Sequence, residues 1–554
     1  MNVSDLQWKL STWAEQDEER KFHGLYKLIT DADWINTAYS HVKRNRGSRT
    51  AGMDGVDIRA FERNREANLT TLREDLKAGT FEPSPVRGVT LCETKPDGRV
   101  KTRPLGISTI RDRIVQEALR MILEPIFEAD FSVHSFGFRP NRCTMDAVAY
   151  LAHRIKPGPG RYYWVIEGDI SSYFTTINHR KLMRLLRRRI KDEKLLTLCW
   201  CFLRAGIMEG KLFRYTNRGV PQGGIVSPLL ANIYLHELDR YMEGYTKLTT
   251  YRRAKRRQSG LSNFLYVRYA DDFVVLCDGT KQQAEAMREE LYQFLKTKLK
   301  LELSKEKTRV THANDGFQFL GFWLQRSKSA SGKMGCKILI PNGAKKKLIG
   351  KVKQILAPSS HELSLNAKIM QLNRVIGGWG RYYQYSSSPK NIFGKLDYVI
   401  WHAMAHWLGR KYKRSKAKVA RKFCSKHRKT FATNSHHLIL LRNLPVRRYR
   451  IKTIPNPYTT KQPIQREELF SLDAITPWGE GARKGQADFR DLILERDGHK
   501  CAKCGQAFPE WELELDHIKP IRRFRRPSDA NYVENFQMLC TADHREKTKL
   551  DNRC

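Results

Sequence analysis

No stretch of this sequence approaches the roughly 20 consecutive apolar residues needed to cross a bilayer, which argues against a helical membrane span. The opening Met1-Asn2-Val3-Ser4-Asp5-Leu6 lacks the basic-then-apolar order of a secretion signal. It soon turns acidic at Glu15-Gln16-Asp17-Glu18-Glu19. Repeats and low-complexity tracts are absent, so the chain reads as folded domains. Cysteine is scarce and mostly single, 11 in 554 residues, which suits reduced thiols rather than a disulfide framework. Acid is short as well: 58 Asp and Glu stand against 101 Lys and Arg, a formal net charge of +43. Such a balance implies a polyanionic partner whose binding weakens steeply as salt releases counterions. With no span in sight, nucleic acid is expected rather than a membrane, and the cytoplasm is the expected compartment. At 554 residues the chain is too long for one core and should divide into three or four domains.

What is present starts with Tyr269-Ala270-Asp271-Asp272, set inside the apolar segment from Phe264 to Leu276. Both flanks are β-branched or aromatic and read as strands, with the acids at the bend between them. Two neighbouring carboxylates are costly to hold together unless a cation neutralises them. A divalent metal does so, and nucleotidyl transfer needs two, one for the attacking and one for the leaving oxygen. Alone, the tetrapeptide is equally well a solvated turn. A third carboxylate changes the balance. In Trp164-Val165-Ile166-Glu167-Gly168-Asp169 an apolar strand ends on an acid, and Phe174 follows five residues later. Between the two motifs lies Gly219-Val220-Pro221-Gln222-Gly223-Gly224. Its glycines let backbone approach a base pair, and its Gln222 can probe base or sugar.

These three motifs, in this order, resemble the palm of reverse transcriptases. The surrounding text resembles one group, the group II intron-encoded proteins that combine reverse transcriptase and maturase. Lys101 to Ile107 with Asp112 to Gln116 is similar to the fingers motif, and Ser135 to Pro140 to the next block. Leu303 to Thr308 resembles a later palm motif, Phe317 to Phe322 the last palm strand, and Leu372 to Tyr383 the maturase or thumb motif. The resemblance runs from about Phe22 to the end. It implies a multidomain α+β chain: a helical extension over 1–85 that contacts template and intron RNA, then right-hand fingers and palm with an antiparallel sheet over 86–325. An α-helical thumb at 326–430, a DNA-binding region at 431–487 and an HNH module at 488–554 follow. Asn45 to Gly52 reads as a flexible basic loop. Tyr251 to Gly260 reads as a solvated basic insertion that contacts RNA, and Arg410 to Lys429 as a basic, aromatic-dotted stretch suited to phosphates.

By the resemblance, Asp169, Asp271 and Asp272 hold two magnesium ions for deoxynucleotide addition, oxygen ligands suiting that ion. Phe174 would lie under the incoming sugar and disfavour a 2′-hydroxyl; its plain alternative is a core aromatic. Lys95 and Arg103 are candidates for the triphosphate. Lys305 is one for the pyrophosphate, or is a solvated lysine. The chain departs from the family where a further acid often follows the Phe, reading Thr175-Thr176-Ile177-Asn178-His179 instead.

Cys501-Ala502-Lys503-Cys504 has the two-residue gap that lets both thiolates reach one tetrahedral ion. Asp516-His517, Asn535, Cys540 and His544 follow, an order resembling the HNH (ββα-metal) endonucleases with a zinc ribbon. The resemblance makes His517 the general base and Asp516 and His544 the ligands of one magnesium or manganese ion. Asn535 would hold the loop that orients His517. The plainer reading is a zinc ribbon that only binds DNA. Three residues after Cys540 the family's second cysteine is replaced by Asp543. The fourth zinc ligand is therefore Asp543 or Cys554, or tight zinc binding has been lost.

The expected function follows the family: the chain binds its own intron RNA, aids splicing, and travels with the lariat as a ribonucleoprotein in a bacterial cytoplasm. On the nucleoid it nicks one strand of a double-stranded DNA target and copies the intron from the new 3′-hydroxyl. The alternatives are a splicing cofactor without catalysis and a reverse transcriptase of a defence or diversity-generating system.

Overall fold

The computed structural model describes residues 2–94, 100–155, 162–209, 212–214, 217–304, 306–328, 332, 334–425, 430–451, 454–460, 493–494, 496–508, 513–520, 533–540, 542–544 and 546–547. They form two compact units, Met1–Lys461 and Gln462–Cys554.

The first unit is mixed α/β. Its N-terminal part is helical, with Val3–Gln16, Tyr26–Ile29, Ala32–Arg44, Ile58–Arg63 and Arg65–Ala78. Asn2, Asp31 and Asp57 cap three of these by accepting from backbone N–H groups of the first turn. Their apolar stripes, Leu10 and Ala14, then Trp34, Ile35 and Tyr39, share a core with the long helix Ile110–Asp130. That helix is buried nearly all round, as a helix must be when other elements cover it on every side. The segment Asn45 to Gly52, expected to be a flexible loop, is instead clamped. Arg46–Arg49 forms a 3₁₀ turn, and Arg113 donates to the Gly47 and Thr50 carbonyls at 3.0 and 2.7 Å.

Strands β1 (Val86–Thr94), β2 (Val100–Ile107), β3 (Trp164–Asp169), β4 (Ile207–Glu209) and β5 (Leu212–Arg214) come first in the chain. They are followed by β6 (Phe264–Tyr269), β7 (Asp272–Cys277), β8 (Arg309–His312), β9 (Phe317–Phe319), β10 (Phe322–Lys328) and β11 (Met334–Leu339). The sheet that matters most has the order β6-β7-β3-β8, antiparallel throughout. Its strands alternate between two cores. Val165, Leu265, Val267, Val274 and Leu276 join the core of the later helices, whereas Ile166, Tyr266, Phe273 and Val275 join that of Ile110–Asp130. Cover on both faces explains why these strands read as unbroken apolar runs. A second sheet, β2-β1-β4-β5, contains one parallel pairing, β1 with β4.

Helices Asn342–Ile355, Leu365–Tyr383 and Pro389–Lys411 share the second core. The Tyr382 and Tyr383 hydroxyls donate to the Leu320 and Gly321 carbonyls at 2.7 and 3.0 Å, tying these helices to the end of β9. The basic insertion is a helix, Thr250–Gln258, rather than a loop. Lys and Arg are good helix formers, no Gly or Pro interrupts them, and Thr249 caps the start while Gly260, at φ 74°, follows the end. Several of its arginines are used internally: Arg253 donates to the Thr246 carbonyl at 2.5 Å and Arg256 to that of Ser262 at 2.9 Å. No described helix is long and apolar enough to cross a membrane.

The second unit pairs β12 (Leu513–His517) with β13 (Phe536–Cys540), antiparallel, over a small core of Ile493, Leu494, Leu513, Phe536, Met538 and Leu539.

Candidate active sites

Asp169 ends β3 and stands opposite Asp272, the first residue of β7. Just before Asp169, a Cβ on Gly168 would lie 2.2 Å from the Phe273 ring, so any larger residue there would have to displace that buried ring. Two residues, Ala270 and Asp271, close the β6–β7 hairpin, whose last pair is Tyr269 with Asp272. After Asp169 the short helix Tyr173–Thr176 turns the chain, and the glycine-rich segment docks on it. The Val220 N–H donates to the Phe174 carbonyl and that of Gly219 to the Ile177 carbonyl, both at 2.7 Å. The Gln222 carbonyl accepts from the Gly106 N–H at 2.7 Å, linking this loop to β2. Phe174 is half-buried, edge-on to Phe138 at 6.3 Å and to Tyr173 at 5.5 Å.

A cavity of about 260 Å³ is lined by Glu167, Asp169, Asp272, Lys307 and Gln318; Asp271 stands on the turn, outside that lining. Lys307 donates to the Asp169 carboxylate at 2.6 Å. The oxygen-only donors, with an ammonium already held against one of them, fit a hard divalent cation. Burial pushes the Glu167 carboxyl, two residues before Asp169 on the same strand, above its ordinary value.

Lys95 and Lys305 lie outside the described residues. Arg103 pairs with Leu91 across β1 and β2, and its side chain lies outside the description. Sequence reasoning passed over Lys307 in favour of Lys305. Both sit in one short motif, and only the turn in which the Lys307 and Thr308 N–H groups donate to the Ser304 carbonyl brings Lys307 back to Asp169.

In the second unit, β12 carries Glu514, Asp516 and His517. Asp516 Oδ1 lies 3.6 Å from His544 Nε2, and Lys547 pairs with Asp516 Oδ2 at 2.9 Å. Glu514 accepts from His544 Nδ1 at 2.7 Å, which leaves Nε2 as the nitrogen facing Asp516. Glu514 and Lys547 were not foreseen; the strand spacing of two between Glu514 and Asp516 was the available signal. His517 is buried, its ring 4.5 Å from that of Phe536. Asn535 brackets the residues after it: its side chain accepts from the Lys519 N–H at 2.8 Å and donates to the Lys519 carbonyl at 3.2 Å. Its own carbonyl takes the Ile518 N–H at 2.7 Å.

Cys501, Cys504, Cys540 and Asp543 bring their ligand atoms within 4.8 Å of one another. Asp543 Oδ2 is 3.2 Å from the sulfurs of both Cys501 and Cys540. Burial opposes ionisation of Cys501, but backbone N–H groups of Cys504, Cys540 and Lys503 aimed at its sulfur outweigh it and lower the thiol's pKa. Three sulfurs and one carboxylate at this spacing fit a tetrahedral ion. Cys554 lies outside the described residues.

Residues 94–324 match the family described as reverse transcriptase (RNA-dependent DNA polymerase), and residues 345–425 match the group II intron, maturase-specific domain. Protein YkfC of Escherichia coli (strain K12) is 41% identical over 358 residues, 62% of this chain and 93% of YkfC. This chain belongs to the group II intron-encoded reverse transcriptases. Another relative, the group II intron-encoded protein LtrA of Lactococcus lactis subsp. cremoris, is 33% identical over 376 residues, 60% of this chain and 61% of LtrA. The chain therefore spans less than two thirds of LtrA. This group II intron-encoded chain adds a match to HNH endonuclease at residues 501–550. The 91 kDa protein in the cob intron of Schizosaccharomyces pombe aligns with 90% of it, at 28% identity. Reverse transcriptase, maturase and HNH endonuclease domains thus occur together in one chain, and the first two imply binding of intron RNA.

Proposed function

We propose that this protein folds its own intron RNA into the splicing-active form and remains with the lariat as a ribonucleoprotein. It then nicks a double-stranded DNA target and copies the intron from the nicked end. The observation that carries this is the coexistence in one chain of a polymerase carboxylate set, Asp169, Asp271 and Asp272, and a nuclease set, Asp516, His517, Asn535 and His544. The work divides over residues 1–85 and the thumb at 326–430 for RNA, 86–325 for synthesis, 431–487 for DNA, and 488–554 for nicking.

In synthesis, Asp169, Asp271 and Asp272 hold two magnesium ions, which when bound stabilise the attacking and leaving oxygens. Phe174 sits under the deoxynucleotide sugar, and Gln222 lies against the nascent pair. Lys95 and Arg103 serve the triphosphate and Lys305 the pyrophosphate, and Lys307 holds the Asp169 carboxylate in place. In nicking, His517 takes the proton of the attacking water while Asn535 fixes its loop. Asp516 and His544 hold magnesium or manganese, and Glu514 orients His544. The protein would act in the cytoplasm, at the nucleoid when it meets DNA.

The test is reconstitution of the full chain with its flanking intron RNA and a target duplex. Splicing, a nick and cDNA joined to the nicked strand are expected. Splicing help with neither nick nor synthesis would leave a pure maturase.

A structural zinc on Cys501, Cys504, Cys540 and Asp543 would staple the small second unit. The full chain should then carry one zinc, and Cys501→Ala/Cys504→Ala none. Asp543→Ala should weaken zinc binding by about 10- to 100-fold in chelator competition, taking the scale of a lost supporting partner as a floor. Unchanged affinity in Asp543→Ala would remove Asp543 from the set.

A further inference from the structure

Beneath the Tyr269–Asp272 hairpin lies an ion pair that the chemistry above leaves unused. Arg268 and Asp239 are both 0% exposed. They pair through two bonds, Nε to Oδ1 at 2.7 Å and Nη2 to Oδ2 at 2.6 Å. Burial alone would push Asp239 up and Arg268 down; each partner's charge outweighs it, leaving the carboxyl below and the guanidinium above its ordinary value. A buried pair of this kind contributes little net stability beyond what apolar side chains of the same volume would give.

The remaining nitrogen shows a different use. Arg268 Nη1 donates to the Ala270 carbonyl at 2.9 Å and to Asn232 Oδ1 at 3.0 Å. The Asn232 amide donates in turn to the Gly137 carbonyl at 2.9 Å. Gly137 presses on the same turn, since a Cβ there would stand 2.3 Å from the Ala270 nitrogen. The Arg268 backbone is clasped too: its N–H donates to His134 and its carbonyl accepts from Phe136, both at 2.9 Å.

These contacts converge on Ala270, whose φ is 57°. That region is disfavoured for a residue with a Cβ, and it persists only where the surroundings impose it. Ala270 is the first of two residues joining β6 to β7. Its conformation therefore decides where Asp271 projects and how Asp272 meets Asp169.

We propose that Arg268, with Asp239 and Asn232, is the positioning device of the polymerase site, holding Ala270 in its left-handed conformation so that Asp271 and Asp272 face the metal ions ready-made. This rests on the reading that those two aspartates hold the ions. Arginine is required because a single ammonium cannot serve Asp239, Asn232 and the Ala270 carbonyl from three nitrogens.

The test uses the full chain on an annealed primer and RNA template, with Mg²⁺ titrated. Mn²⁺ binding is followed by loss of the free-ion EPR signal, counting only the share that disappears in Asp271→Ala/Asp272→Ala. Arg268→Lys should raise the Mg²⁺ concentration for half-maximal rate and weaken that Mn²⁺ share by about 10- to 100-fold, the scale of lost outer-shell support. The KM for dNTP should change far less. Adding Ala270→Gly to Arg268→Lys should recover most of both losses, because glycine adopts the turn unaided. Asn232→Ala keeps the ion pair and should shift both readouts in the same direction by less, so it decides the matter should Arg268→Lys not fold. Unchanged metal dependence in a folded variant, or a double variant no better than Arg268→Lys, would overturn the proposal. If Asp271→Ala/Asp272→Ala still extends primers, the assignment of the ions has failed instead.

Discussion

Replacing Asp271 and Asp272 together with alanine should lower primer extension by roughly 10³- to 10⁵-fold, the rate equivalent of several kcal/mol of lost charge stabilisation. Asp272 stands opposite Asp169 across β7 and β3, and Asp271 occupies the turn beside it, so the double change leaves Asp169, with Lys307 against it, and Glu167 as the acids lining the cavity. No cation of higher charge then has reason to displace the ammonium. The fold should survive, because Asp272 is exposed and Asp271 only half-buried. Single-turnover extension of a DNA primer on an RNA template measures the effect. Nicking of duplex DNA by the same ribonucleoprotein should continue. Extension within tenfold of the unaltered chain would mean that these carboxylates are not the metal-holding set.

The converse experiment is His517→Ala. Loss of a general base typically costs about 10²- to 10⁴-fold, and nicking should fall by that factor while synthesis from a supplied primer is untouched. His517 is buried against Phe536, so a fall in nicking must be separated from collapse of a small core. His517→Gln keeps much of the volume, and zinc content reports whether the Cys501 group still forms. Nicking lost with zinc retained assigns the proton transfer to His517; nicking retained in a folded variant would exclude it. Target-primed synthesis should fail in both this variant and the aspartate pair, but only the former should be rescued by an added primer.

The candidate polymerase carboxylates stood out because their chemistry leaves a local trace, whereas the candidate nuclease residues were picked out by resemblance. Acids inside apolar strands are expensive without a cation, so Asp169 and the Asp271-Asp272 pair stand out at once. Cys501, Cys504 and Cys540 stood out by spacing as candidate ligands, while the sequence left open Asp543, Cys554 or a lost zinc site. Proximity of Asp543 to two sulfurs depends on how the residues after β13 return to the Cys501 loop. The insertion from Tyr251 looked like a loop because charge resembles solvent exposure; helix propensity and the Thr249 cap set its form.

By itself, then, the sequence determined the order of the motifs, the continuous apolar text of the central strands, and which carboxylates and thiols stand out. Each of these follows from what a residue type can bear locally. Three assignments were left to the tertiary structure: Lys307 to Asp169, Glu514 to His544, and Arg268 to the turn beneath Asp271. A basic side chain in a chain of net charge +43 carries no mark of its partner. Whether it faces solvent, phosphate or a buried carboxylate depends on which distant strand or turn packs against it, and only the folded chain specifies that.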